Sequence, residues 1–181
     1  NTIHLYEGWK PNYYTAVDRR VLNEFAQAVN KRLPGVPKFL PYPRLAKWFD
    51  DDVYFWKHRP GRLWQPGMKM WQDDIAQAGI IYANIMHVAI KLAYFMGAKK
   101  ILIIGMEHKP RSSDAHFWGD DGGISPDQTT QAWQAGYKAL ADALRLRKVK
   151  LLNISAGTYV PSDIIEQDDF EKYVEEQSNA K

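Results

Sequence analysis

Between Gly97 and Asp121 the chain reads GAKKILIIGMEHKPRSSDAHFWGDD, and the four consecutive apolar residues Ile101 to Ile104 near its start constrain the fold more than any other feature. A short run this rich in β-branched residues has the length of a strand buried on both faces, and such strands belong mostly to parallel sheets covered by helices. The preceding sequence agrees. From Ile80 to Met96 it is apolar and Ala-rich, with Ile81, Ile85, Val88, Leu92 and Phe95 at near-helical intervals and Gly97 placed to end a helix. The strand then follows after the short turn expected of an αβ unit. Ligands of open parallel sheets collect beyond the carboxyl ends of the strands, so Glu107, His108, Arg111, Asp114, His116, Asp120 and Asp121 occupy the favoured place for chemistry.

Other segments repeat the alternation. Tyr13 to Val17 (YYTAV) reads as a strand and Asp18 as the cap of a helix whose apolar face is Val21, Leu22, Phe25, Val29 and Leu33, stopped by Pro34-Gly35. Lys38 to Leu40 and Val53 to Trp56 read as short strands beside a Trp- and Pro-rich insertion around residues 42–75. Ser125-Pro126-Asp127-Gln128 is a helix start, with Ser as cap and Pro at the first position. Trp133, Tyr137, Leu140 and Leu144 mark its buried stripe, and Arg145, Arg147 and Lys148 complement the dipole near its end. Val149 to Ile154 reads as a strand and Asp168 to Gln177 as a closing helix. The pattern predicts an α/β fold: a three-layer, Rossmann-like domain with a mainly parallel sheet.

Composition narrows the partners. At 181 residues and 45% hydrophobic the chain suits one domain with a real core. Lys and Arg number 24 against 21 Asp and Glu, a net charge of +3 without a massed basic tract, which does not argue for nucleic acid. No signal peptide or transmembrane segment is visible. The absence of Cys excludes disulfides and thiolate chemistry and fits a reducing, cytoplasmic setting. The first residue is Asn1, not Met, and ordered-looking sequence follows at once, which predicts that the chain begins inside a longer protein.

Within the polar loop, His116 is suited to proton transfer near neutral pH, with Asp114 available to fix its tautomer. Glu107, Asp114, Asp120 and Asp121 could supply oxygen ligands to Mg2+, although Asp120-Asp121-Gly122-Gly123 is equally an ordinary solvated turn. Gly79 opens the apolar helix, where free N–H groups can receive a phosphate or carboxylate, or simply permits a turn. His87, inside that helix, reads as a hydrogen-bonded core residue. Lys57, Arg59 and Arg62 among Trp56, Trp64 and Trp71 could form a lid over a sugar, base or phosphate, or the aromatic loop could cover core or join a homo-oligomer. Asn153-Ile154-Ser155 matches a glycosylation acceptor by chance, with no secretory signal to support it.

Four blocks, KPNYYTAVD (Lys10 to Asp18), Gly79 to Gly97, KKILIIGMEH (Lys99 to His108) and HFWGD (His116 to Asp120), together with the later helix and strand ending in LLNIS, carry a likeness. In them the chain resembles the Rossmann-like group that joins bacterial lipooligosaccharide sialyltransferases to MptE-like hydroxymethylpterin diphosphokinases. The resemblance implies a nucleotide-dependent transferase, a glycosyltransferase using a nucleotide-activated sugar and a small-molecule or glycan acceptor. It implies His116 as general base, Gly79 near the donor nucleotide, and Asn153 and Ser155 on the strand end bordering the site. A pterin diphosphokinase would lean more on the acidic cluster for Mg2+. A non-catalytic phage- or prophage-associated module would use the Trp-rich face for binding or assembly. The relatives carry Asp where this chain has Glu107, and they begin with a strand and a Gly-Pro-Ser-Leu-type turn that cradles phosphates. The expectation is therefore of an N-terminally incomplete domain.

Overall fold

In a computed structural model that describes residues 8–41, 49, 52–56, 71, 80, 84–106 and 126–179, helices alternate with short strands, all paired in parallel. The chain divides into two compact units, Asn1–Leu63 with Gln72–Ala89, and Trp64–Trp71 with Ile90–Lys181.

The first unit contains β1 (Tyr14–Thr15), α1 (Arg19–Arg32), β2 (Lys38–Leu40) and β3 (Val53–Phe55), with sheet order β1-β2-β3. The Leu22 N–H donates to the Asp18 carbonyl at 2.9 Å, so α1 starts where the capping residue stands. Leu22, Ala26, Val29 and Leu33 recur at helical spacing and are buried with Tyr14, Ala16, Val36, Leu40 and Phe49 in one core. Alternation along the strands decides which side chains join it: Tyr14, Lys38 and Leu40 are buried, Thr15 and Phe39 only half-buried. Lys38 is tolerated inside because its ammonium donates to the Leu33 and Val36 carbonyls, at 3.3 and 3.0 Å, in the turn that follows α1.

Helix α2 (Ile85–Phe95) crosses from the first unit's sequence into the second's. Its start is fixed by Asn84, whose Oδ1 accepts from the Met86 and His87 N–H groups at 3.0 and 3.3 Å. The His87 Nδ1 accepts in return from the Asn84 N–H at 3.2 Å. This is a capping box with an imidazole in the place usually held by Glu or Gln. Its other end is a Schellman turn: Gly97 N–H donates to Tyr94 O at 2.8 Å and Ala98 N–H to Ala93 O at 3.0 Å, with Gly97 at a φ of 94° that L side chains rarely adopt.

The second unit continues with β4 (Lys100–Ile103), α3 (Pro126–Leu146), β5 (Lys150–Asn153), β6 (Glu166–Gln167) and α4 (Phe170–Asn179), in sheet order β4-β5-β6. Ile101 faces Leu151 and Ile103 faces Asn153 across the parallel pair. Tyr137, Leu140 and Leu144 are fully buried on α3, which packs against β5. The Arg147 guanidinium donates to the Ala143 carbonyl at 2.9 Å, as cations near a helix carboxyl end are expected to do. Asp169 caps α4 by accepting from the Lys172 N–H at 2.9 Å.

The α/β class and the parallel strands therefore stand, whereas the described strands form two three-stranded sheets where the sequence suggests one. The apolar helix begins at Ile85, not near Ile80, because Asn84 captures its first N–H groups. Ile104 is 63% exposed, so β4 is not buried along its whole apolar run. The chain turns at Gly105, with a φ of 79°, and leaves Ile104 beyond the sheet. Two-residue β6 has no apolar pattern to announce it; its pairing comes from Leu152 and Asn153 of β5.

Candidate functional site

The carboxyl end of the β4–β5 pair is tied by side chains after backbone pairing stops. Ile154 N–H donates to Ile103 O at 2.9 Å as the last ladder bond. Beyond it the Ser155 Oγ accepts from the Met106 N–H at 2.9 Å, and the Thr158 hydroxyl donates to the Met106 carbonyl at 2.8 Å. Both main-chain groups of Met106 are thus held by hydroxyl side chains, which extend the sheet where β4 has already turned at Gly105. Asn153 organises the other side: its Nδ2 donates to the Thr158 Oγ1 at 3.0 Å and its Oδ1 accepts from the Ser155 N–H at 3.1 Å. The Val160 N–H adds a second donor to the Thr158 oxygen at 3.2 Å, and the Asn153 carbonyl accepts from Asp168 N–H at 3.1 Å. Asn153, Ser155 and Met106 are buried, so each of these bonds replaces water that the interior excludes.

Asn153 and Ser155, named from the sequence, are brought together at this strand end. They act first as fasteners of the chain leaving β4. The Ser155 hydroxyl hydrogen has no acceptor among the described residues and remains available to donate. Thr158 was not legible as a member of the site; a hydroxyl residue beside Gly157 in the turn after β5 was the available signal. Asn153, Ser155 and Thr158 are all neutral at physiological pH, so they can orient a ligand or donate hydrogen bonds but cannot serve as a general base. His116, Asp114, Asp120, Asp121 and Gly79 lie outside the described residues. Among the described residues no three His, Cys, Asp or Glu side chains gather to hold a metal ion.

Two tryptophans of the proposed lid are core residues. Trp56 and Trp71 are both buried. The Trp71 ring meets Tyr94 edge-on at 4.8 Å and lies under the Arg147 guanidinium at 4.5 Å, a cation–π contact within the second unit. Trp64, Lys57, Arg59 and Arg62 lie outside the described residues. Two buried groups on α2 carry polar chemistry. His87 is hydrogen-bonded and fully buried, as its place in an apolar helix implies. Lys91 is also buried, and desolvation lowers its ammonium pKa to about 7. No described helix is long and apolar enough to cross a membrane.

No protein-family model, curated protein or solved structure matches the chain.

Proposed function

We propose that this chain is a nucleotide-dependent transferase of the sialyltransferase-like kind, built on a three-layer Rossmann-like plan, which passes a sugar from a nucleotide donor to a hydroxyl of a small-molecule or glycan acceptor. One observation carries the reading: the parallel β4–β5 pair ends in a buried, side-chain-fastened polar cluster, and the chain leaving that cluster at Met106 is the one that contains His116. Carboxyl ends of parallel strands are where α/β proteins receive ligands. The resemblance of the HFWGD block to the sialyltransferases adds the role of His116.

In this reading His116 removes the proton of the acceptor hydroxyl, and Asp114 holds the imidazole tautomer. The acceptor oxygen attacks the anomeric carbon while the sugar–phosphate bond breaks, and its electron pair leaves on the nucleotide phosphate. Asn153 and Ser155 border the donor site by resemblance, and the Ser155 hydroxyl has a hydrogen to offer it. Gly79 belongs to the donor site through the resemblance alone, since α2 begins after Asn84. Asp120 and Asp121 are the candidate Mg2+ ligands.

Titration of the protein with cytidine and adenine nucleotides, with and without Mg2+, tests the reading. Specific cytidine nucleotide binding supports a sugar donor. Strictly Mg2+-dependent adenine nucleotide binding transfers support to a diphosphokinase, and no nucleotide binding leaves a non-catalytic module. Transfer that survives His116→Ala in a folded variant would remove His116 as the base.

A further inference from the structure

We propose that the face of the β1-β2-β3 sheet turned away from α1 binds a neutral saccharide on a row of three rings, Tyr13, Phe39 and Tyr54. This site lies in the first unit and goes beyond the transferase reading. The parallel register sets Thr15 beside Phe39 and Phe39 beside Tyr54, and residues two apart on a strand share a face, which adds Tyr13. Ring centroids are 6.0 Å apart from Tyr13 to Phe39 and 5.4 Å from Phe39 to Tyr54. The two faces differ in exposure at β1 and β2, where Tyr14 and Leu40 on the α1 side are 4% and 0% exposed, whereas Tyr13 and Tyr54 on the ring face are 53% and 52% exposed; on β3, Phe55 of the α1 side is itself exposed.

Size, charge and ring geometry select the occupant. Two half-exposed tyrosines and a half-buried phenylalanine offer on the order of 300 Å2 or less. A stable protein complex takes about 800 Å2 from each partner, so the strip suits a small molecule. Lys38 is the one cation among the residues of β1, β2 and β3, and its ammonium is committed on the α1 side to the Leu33 and Val36 carbonyls. Among the described residues of the strip, Tyr13, Thr15, Phe39 and Tyr54 offer no counter-charge to a phosphate, which favours a neutral ligand. Phe39 and Tyr54 are already stacked on each other at an interplanar angle of 24°, so a flat base cannot be sandwiched between them. A sugar ring needs only one exposed aromatic surface. Its C–H face lies against aromatic carbon, and its hydroxyls reach the phenol groups at the two ends of the row.

The test is calorimetric titration of the full chain with cellohexaose, chitohexaose and maltohexaose as neutral probes and adenosine as the competing ring. At least one oligosaccharide should bind. Tyr13→Ala and Tyr54→Ala should each weaken it tenfold or more while the variants remain folded, with only a small fall in Tm from the lost contact with Phe39. Tyr54→Phe, which keeps the ring, should lose less than Tyr54→Ala. Tyrosine ring-proton shifts in the unsubstituted protein on adding the sugar give a readout independent of variant folding. Absence of binding by all three oligosaccharides, affinity unchanged in the Tyr13→Ala/Tyr54→Ala double variant, or preferential binding of adenosine would overturn the proposal.

Discussion

Thr158 uses the whole capacity of its hydroxyl: it donates to Met106 O and accepts from Asn153 Nδ2 and Val160 N–H. Thr158→Val keeps the shape and strands those three partners, so a stability loss of roughly 2 kcal/mol is expected in urea unfolding, most of it recovered by Thr158→Ser. Equal stability of the Val variant would show that the hydroxyl fastens nothing. Lys91 predicts a pH dependence. Its folded pKa of about 7 lies below the unfolded value of 10.5, so the unfolded chain binds more protons between these limits and stability rises with pH across them. Below about 7 the full cost of the buried ammonium is present. From pH 6 to pH 9 the gain is on the order of 3 kcal/mol, and Lys91→Met should abolish that rise. An unchanged slope in the variant would place the titration elsewhere. The Thr158–Met106 bond was illegible because its partners are 52 residues apart and meet only through the pairing of β4 with β5.

At the scale of elements, local chemistry was the reliable guide. Asp18, Pro126 and Gly97 stand where helices begin or end, and Lys38–Leu40 is a strand as read. Hydropathy alone puts the start of α2 too far upstream, since it continues through Ile80, while the boundary is set by a hydrogen-bonded exchange between Asn84 and His87 that periodicity does not register. The end of α3 repeats the Schellman turn of α2 with a less suitable residue. Val149 N–H donates to Leu144 O and Lys148 N–H to Arg145 O, both at 3.0 Å, and Lys148 takes a φ of 58°. Left-handed backbone costs a non-glycine residue roughly 1 kcal/mol, so Lys148→Gly should raise stability by about that amount, read as a higher denaturation midpoint with unchanged m-value. A lower midpoint would mean that the Lys148 side chain contributes more than its backbone costs.

For the molecule as a whole, ligand linkage is the direct measure of the transferase reading. A cytidine nucleotide at a hundred times its Kd should stabilise the protein by about 2.7 kcal/mol, a Tm increase of roughly 5 to 10 °C. Saturating nucleotide that leaves Tm unmoved would count against a donor site. The sequence by itself determined the α/β class, the parallel strands, most helix ends and the core stripes of α1 and α3, because each depends on periodicity and capping within a few residues; on α2 the expected stripe fails at Phe95, which is exposed. Only the tertiary structure decided that the described strands form two sheets, that Trp56 and Trp71 are buried, and that Asn153, Ser155 and Thr158 fasten the chain leaving β4. It also aligned Tyr13, Phe39 and Tyr54 into one row. Those outcomes depend on strand register and on hydrogen bonds between distant segments, and no local pattern encodes which distant partner a polar or aromatic side chain will meet.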